Sequence, residues 1–189
     1  MKYILRLDIA GNPVDWISAH DGIRLVAAGR ALAGLGEQET HYYGGYNALT
    51  GKRSRVTVSS ILLTRKRVDR FRQARDYTPS LSNPLLFRRD RHQCLYCGAH
   101  GSDKTLTRDH VIPVSRGGRD LWTNVATACR RCNNAKANLT PEEWGRDLLA
   151  VPFAPNLAEG LFLANHRRII ADQQAFLMAR FRPGHDLLV

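Results

Sequence analysis

The chain has 189 residues, 43% of them apolar and 24% charged, with 15 glycines and 8 prolines. Those proportions exclude a disordered or collagenous chain, and no apolar run approaches the ~18 residues that a membrane span needs. Lys and Arg number 28 against 17 Asp and Glu, a formal charge of +11 with a pI near 10.1, which points to a polyanionic partner, usually nucleic acid and less often an anionic membrane.

The segment Tyr3 to Ile9 is expected as a strand, Gly11-Asn12-Pro13 as a turn and Val14 to Ser18 as the returning strand. The opening MKYILRLDIAGN holds one lysine and an apolar stretch broken by Arg6 and Asp8, which is not the pattern of a signal peptide. A cytoplasmic location is therefore expected, and there four cysteines are more simply metal ligands than disulfide partners. A short helix should follow from Ala19 to Ala28, stopped by Gly29. The Gly-rich aromatic run His41-Tyr42-Tyr43-Gly44-Gly45-Tyr46-Asn47 is expected as a loop, with a stacking surface for bases as its functional alternative. Arg55 to Val58 alternates as another strand, giving a small α+β unit with a basic linker over residues 1–77.

Positive charge is concentrated between Lys52 and Cys94. Twelve Lys or Arg face three Asp there, so this stretch carries +9 of the net +11. Arg65, Lys66, Arg67 and Arg70 lie in the middle of it and are expected to follow a phosphate backbone. The breaker-rich run Thr78 to Pro84 marks a boundary or hinge. Beyond it, Asn83 is expected to cap a helix that opens on Pro84 and reaches about Arg91. Thr140-Pro141-Glu142-Glu143 reads as a capping box opening a helix to about Ala150, ahead of Pro152. Two further helices are expected over 157–165 and 167–181, where Ile169, Ile170, Phe176 and Leu177 form a packing stripe. The organisation then reads as 1–77, a core over 78–143, and a C-terminal helical extension over 144–189.

Cys94-Leu95-Tyr96-Cys97 and Cys129-Arg130-Arg131-Cys132 are two CxxC pairs with 31 residues between them. Each pair can present two thiolates to one ion at about 2.3 Å, and two pairs complete a tetrahedral structural zinc site with no open position. A redox CxxC needs no second copy, so Cys94, Cys97, Cys129 and Cys132 are read as zinc ligands and not as a catalytic centre.

Between and after these knuckles stand Asp109-His110-Val111-Ile112-Pro113, Ser115-Arg116-Gly117-Gly118, Asn124, Asn133 and Lys136. In this order they resemble the HNH endonuclease family, in its bacterial zinc-knuckle branch with the pattern CxxC…DHxxP…GG…N…CxxC[HN]xxK. The third signature residue is Asn133 where the family name has His. The resemblance is strong from about Asn83 to Glu143, and the N-terminal hairpin and helix are more weakly similar to leaders of bacterial HNH proteins.

The resemblance implies an α+β fold with a ββα-metal core, a β-hairpin crossed by a helix around one cation. Asp109 and Asn133 would hold Mg²⁺ or Mn²⁺, for which a carboxylate and an amide oxygen are suitable hard ligands. His110 would be the general base that takes a proton from the attacking water. Asn124 would brace the loop and orient the His110 ring. Lys136, one turn beyond Asn133, and Arg116 would be phosphate contacts, a solvated lysine being the alternative for Lys136. The expected activity is metal-dependent hydrolysis of DNA phosphodiester bonds. The alternatives are a zinc-stapled nucleic-acid binder without activity and an RNA-cleaving nuclease.

Overall fold

The computed structural model describes residues 3–65, 77–185 and 187. Lys66, Arg67 and Arg70 lie outside the described residues; Arg65 is exposed at the end of a strand. The chain divides into two compact units, Met1–Tyr77 with Leu157–Phe181, and Thr78–Asn156 with Arg182–Val189.

In the first unit β1 (Tyr3–Leu7) and β2 (Pro13–Ser18) form an antiparallel hairpin, its turn pinned by Asp8, whose Oδ1 accepts from the backbone N–H of Ala10 and Asn12. Ser18 caps α1 (Ala19–Ala27) by accepting from the Asp21 N–H at 3.1 Å. Then come β3 (Ala31–Gly34), β4 (Glu39–Tyr46), β5 (Arg53–Ser59) and β6 (Ile61–Thr64). One sheet runs β2-β1-β6-β3, with β6 parallel to β1, while β4 and β5 pair as a separate antiparallel ribbon. Ile4, Ile17, Val58 and Leu62 form the core against Ile23, Leu25 and Val26 of α1.

The aromatic run 41–47, expected as a loop, is mostly strand. Residues 41–46 belong to β4, and Tyr42 packs inward against the core. The two glycines that suggested a loop sit where the β4–β5 register shifts between Tyr43 and Tyr46, so a bulge absorbs them without ending the pairing.

Two C-terminal helices complete this unit: α5 (Leu157–Asn165) and α6 (Ala171–Met178), separated by a single 3₁₀ turn over His166–Arg168. The helix expected from 167 to 181 is therefore shorter. Ile169 and Ile170 precede it, leaving Leu177 as the buried member of the expected stripe. The helices dock by hydrogen bonds as well as apolar contact: Trp16 Nε1 donates to the Leu161 carbonyl, and buried Gln173 Nε2 donates to the carbonyls of Tyr3 and Ser60. This docking explains why 144–189, expected as one extension, is shared between the two units.

The second unit begins with α2 (Asn83–Arg89), which packs Leu86 and Phe87 on Leu106, Trp122 and Val125. Its N-cap is Ser82, and Asn83 is its first residue. The Asn83 side chain, expected as the cap, instead accepts from Arg108 Nε at 2.9 Å. Arg89, counted in the basic stretch, is 2% exposed and bonded to Asp90 and to the carbonyls of Trp122, Phe153 and Val125, so it is an internal pin.

β7 (Leu106–His110) and β8 (Val125–Cys129) form an antiparallel pair, followed at once by α3 (Arg130–Lys136). The capping box is present at α4 (Pro141–Trp144), but the helix ends after one turn rather than at Ala150, because Gly145 takes the left-handed conformation (φ 73°). Among the described residues no helix is long and apolar enough to cross a membrane.

Candidate active site

Strand β7 carries the Asp109-His110 pair at its end, with Asp109 opposite Ala126 and His110 opposite Val125. Neighbours on a strand point to opposite sides. Asp109 is 5% exposed and turns inward; His110 is half-buried and turns toward solvent.

Asp109 is met inside by two partners. The Tyr96 hydroxyl donates to its Oδ2, and Lys136 Nζ lies 3.1 Å from Oδ2 and 3.3 Å from Oδ1. Burial, with the Asp109 bond second, pushes the Tyr96 phenol above its ordinary range, so it stays a neutral donor. Lys136 also donates to the His110 carbonyl at 2.8 Å. It is fully buried, and this corrects both expectations for it: it is neither a solvated lysine nor a group at the surface for a phosphate. The final turn of α3 directs it inward onto the end of β7, where it supplies the countercharge for Asp109.

His110 Nε2 stands 2.9 Å from Asp120 Oδ1, and Asp120 Oδ2 accepts from Arg108 at 2.6 Å. Arg108 holds the Asp120 carboxyl below the usual carboxylate range. Asn124 accepts from the Ile112 N–H and donates to the carbonyls of Ile112 and Arg119. These bonds brace the loop that carries Asp120, while the described partner of the His110 ring is Asp120 rather than Asn124. Gly118 lies on the same loop, where a Cβ would fall 1.8 Å from the Ile112 carbonyl oxygen; no larger residue fits. Arg116, expected at a phosphate, pairs with Glu143 through both carboxylate oxygens.

Asn133 Nδ2 donates to Thr107 Oγ1 at 2.9 Å and to the Arg108 carbonyl at 3.3 Å, so these bonds engage the amide nitrogen and not the amide oxygen. A carboxylate offers about four acceptor sites. Asp109 therefore retains acceptor capacity beyond its bonds to Tyr96 and Lys136. The donor set, one carboxylate and one amide oxygen, suits a hard divalent cation that fills its remaining positions with water and phosphate.

The four cysteines converge separately. Their Sγ atoms all lie within 4.8 Å of one another, Cys97 and Cys129 at 3.9 Å, and all four thiols are free. That spacing suits a tetrahedral ion with bonds of about 2.3 Å. Cys94 and Cys132 are buried, and burial raises both thiols, whereas the Ala99 N–H brings Cys97 down to about 7. Cys129 Sγ also caps α3, accepting from the Cys132 N–H. Tyr96 and Ala128 share the cluster with the cysteines, and Trp144 packs edge-on against Tyr96, its centroid 5.2 Å away. Among the described residues this is the one group of three or more His, Cys, Asp or Glu ligands that could hold a metal such as zinc.

Residues 94–149 match the HNH endonuclease family. The match covers just under a third of the chain and takes in both CxxC pairs, the Asp109-His110 pair, Asn124, Asn133 and Lys136. The family read from the motif order is the one the comparison returns. The chain is also similar to the CRISPR-associated endonuclease Cas9 of Corynebacterium diphtheriae, 30% identical over 60 residues. That alignment covers 31% of this chain and 6% of the Cas9 protein, so the chain spans a small part of its relative's length.

Three residues of the HNH segment escaped the sequence reading: Asp120, Arg108 and Tyr96. Arg108 and His110 share a strand face through the two-residue period of β7. A carboxylate reaching that face would meet both, but the path of the loop that delivers Asp120 has no local signature. Tyr96 lies inside the first CxxC, and that position places it beside the cysteines.

Proposed function

We propose that the protein is a metal-dependent HNH endonuclease that hydrolyses DNA phosphodiester bonds in the cytoplasm. The observation that carries this reading is the end of β7, where a buried carboxylate held by Tyr96 and Lys136 stands beside an outward imidazole held by Asp120. β7, β8 and α3 are read as the ββα-metal core, with Cys94, Cys97, Cys129 and Cys132 binding a structural zinc.

Asp120 fixes the chemistry of His110. A carboxylate accepts only from a protonated nitrogen, so the neutral ring carries its hydrogen on Nε2 and offers the Nδ1 lone pair as the base. In this reading Nδ1 takes a proton from the water attacking phosphorus, and Asp120 stabilises the imidazolium that forms. Asp109 and Asn133 would hold Mg²⁺ or Mn²⁺, which when bound neutralises charge on the phosphate and assists the leaving oxygen. Lys136 holds the Asp109 carboxylate in place from beneath, through contacts to both of its oxygens. The basic stretch, with Arg65, Lys66, Arg67 and Arg70, is proposed to follow the phosphate backbone.

Incubation with supercoiled plasmid and with structured RNA, each in Mg²⁺, Mn²⁺ or EDTA, tests the reading. Relaxed or linear plasmid in either metal and none in EDTA is the expected result. Cleavage of RNA alone would replace DNA as substrate. Binding without cleavage in any metal would refute the nuclease.

A further inference from the structure

The β4–β5 ribbon presents a face that the HNH site does not use. Residues directly opposite on an antiparallel pair share a face, and the pairing sets His41 against Thr57, Tyr43 against Arg55 and Tyr46 against Arg53. The other face carries Tyr42 and Val56 into the core with Val58. The outer face is open: Tyr43 is 55% and Tyr46 73% exposed. Its members are ordered among themselves. The Arg53 guanidinium lies 5.1 Å from the Tyr43 ring centroid and 5.8 Å from that of Tyr46, and Arg53 Nε donates to the Gly44 carbonyl. His41 Nδ1 is 2.9 Å from Thr57 Oγ1. At the tip, Asn47 Oδ1 accepts from the N–H groups of Leu49 and Thr50.

Charge identifies the occupant. From Thr40 to Arg65 the sequence has no Asp or Glu, while Lys52, Arg53, Arg55 and Arg65 are cations. An acidic protein surface would match the charge but offers the two exposed tyrosine rings no flat partner to stack on. A nucleic-acid strand with unpaired bases satisfies both features, since phosphates pair with the guanidinium groups and every base has a π-face to stack on tyrosine. A duplex keeps its bases stacked on one another and offers the ribbon phosphates alone.

We infer that the outer face of the β4–β5 ribbon is a second nucleic-acid site, binding a single-stranded segment by stacking bases on Tyr43 and Tyr46 between Arg53 and Arg55. This rests on the nucleic-acid part of the function proposed above and not on cleavage, because binding is read in EDTA.

The test is fluorescence anisotropy of the full chain in EDTA with a labelled oligothymidylate and with a labelled duplex of equal length. The Tyr43→Ala/Tyr46→Ala variant should bind the single strand at least about tenfold more weakly. The duplex should lose far less. Tyr43→Phe/Tyr46→Phe should bind the single strand like wild type, because stacking uses the ring and not the hydroxyl. Wild-type affinity of the alanine variant for the single strand would overturn the inference, as would equal losses on strand and duplex. Full ribbon-dependent binding by a protein that never cleaves plasmid would refute the nuclease reading and leave this one standing.

Discussion

Lys136 carries a positive charge with no exposed surface, bonded to a buried carboxylate and to the carbonyl of the residue that follows it in β7. Breaking a buried ion pair by removing one partner costs about 3–5 kcal/mol, because the other charge is left uncompensated. Lys136→Met should therefore lower stability by that amount in urea denaturation, and adding Asp109→Leu should recover most of it. A surface lysine would show no such loss. Asp120 works differently. It is exposed, so its removal should spare the fold and misplace the His110 ring. Asp120→Ala is expected to lower kcat by up to about 10²-fold with DNA affinity unchanged, and Asp120→Asn, which keeps an acceptor oxygen for Nε2, should recover much of that loss. Arg108 depresses Asp120, so the contribution of this bridge is complete above the ordinary carboxylate value of about 3.9 and is lost only as pH falls through the lower folded value. An activity loss confined to the range near pH 7 must come from another group.

At the scale of elements, the cysteine cluster holds the first knuckle against the start of α3, and α3 in turn brings Asn133 and Lys136 onto β7. A structural metal contributes folding free energy directly. Purified protein should carry about one zinc per chain, and stripping it with a strong chelator should lower the melting temperature and abolish activity together. An apo protein melting where the loaded one does would refute a structural role. The double CxxC was legible because metal chemistry fixes its spacing, and the capping box because its reciprocal bonds are local. Elements that depend on distant partners were not. Gly44-Gly45 reads as a loop until β5 is present to pair across the bulge, and the end of α4 depends on one glycine's left-handed backbone. Lys136 reads as surface because lysine usually is, and only the pairing of β7 with β8 reveals the carboxylate beneath it.

For the whole molecule, the motif order marked a segment over about 83–143 where the family match falls on 94–149, whereas the return of 157–181 to the first unit was hidden. α5 and α6 return to the N-terminal sheet through Trp16 and Gln173, contacts separated by 145 and 170 residues of sequence that no local pattern announces. The excess of cations was legible as a total but not in its distribution: Arg89 is an internal pin, Arg116 is paired with Glu143, and Arg53 lies against the rings of Tyr43 and Tyr46. Net charge thus indicates a polyanionic partner without saying which cations meet it. We propose His110, aligned by Asp120, as the base of the nuclease, and the single-turnover rate of plasmid cleavage in Mg²⁺ by His110→Ala against wild type, with DNA binding followed in parallel, tests that role. The expected result is unchanged binding and a rate lower by about 10²–10⁴-fold; a His110→Ala variant that cleaves at the wild-type rate would contradict it.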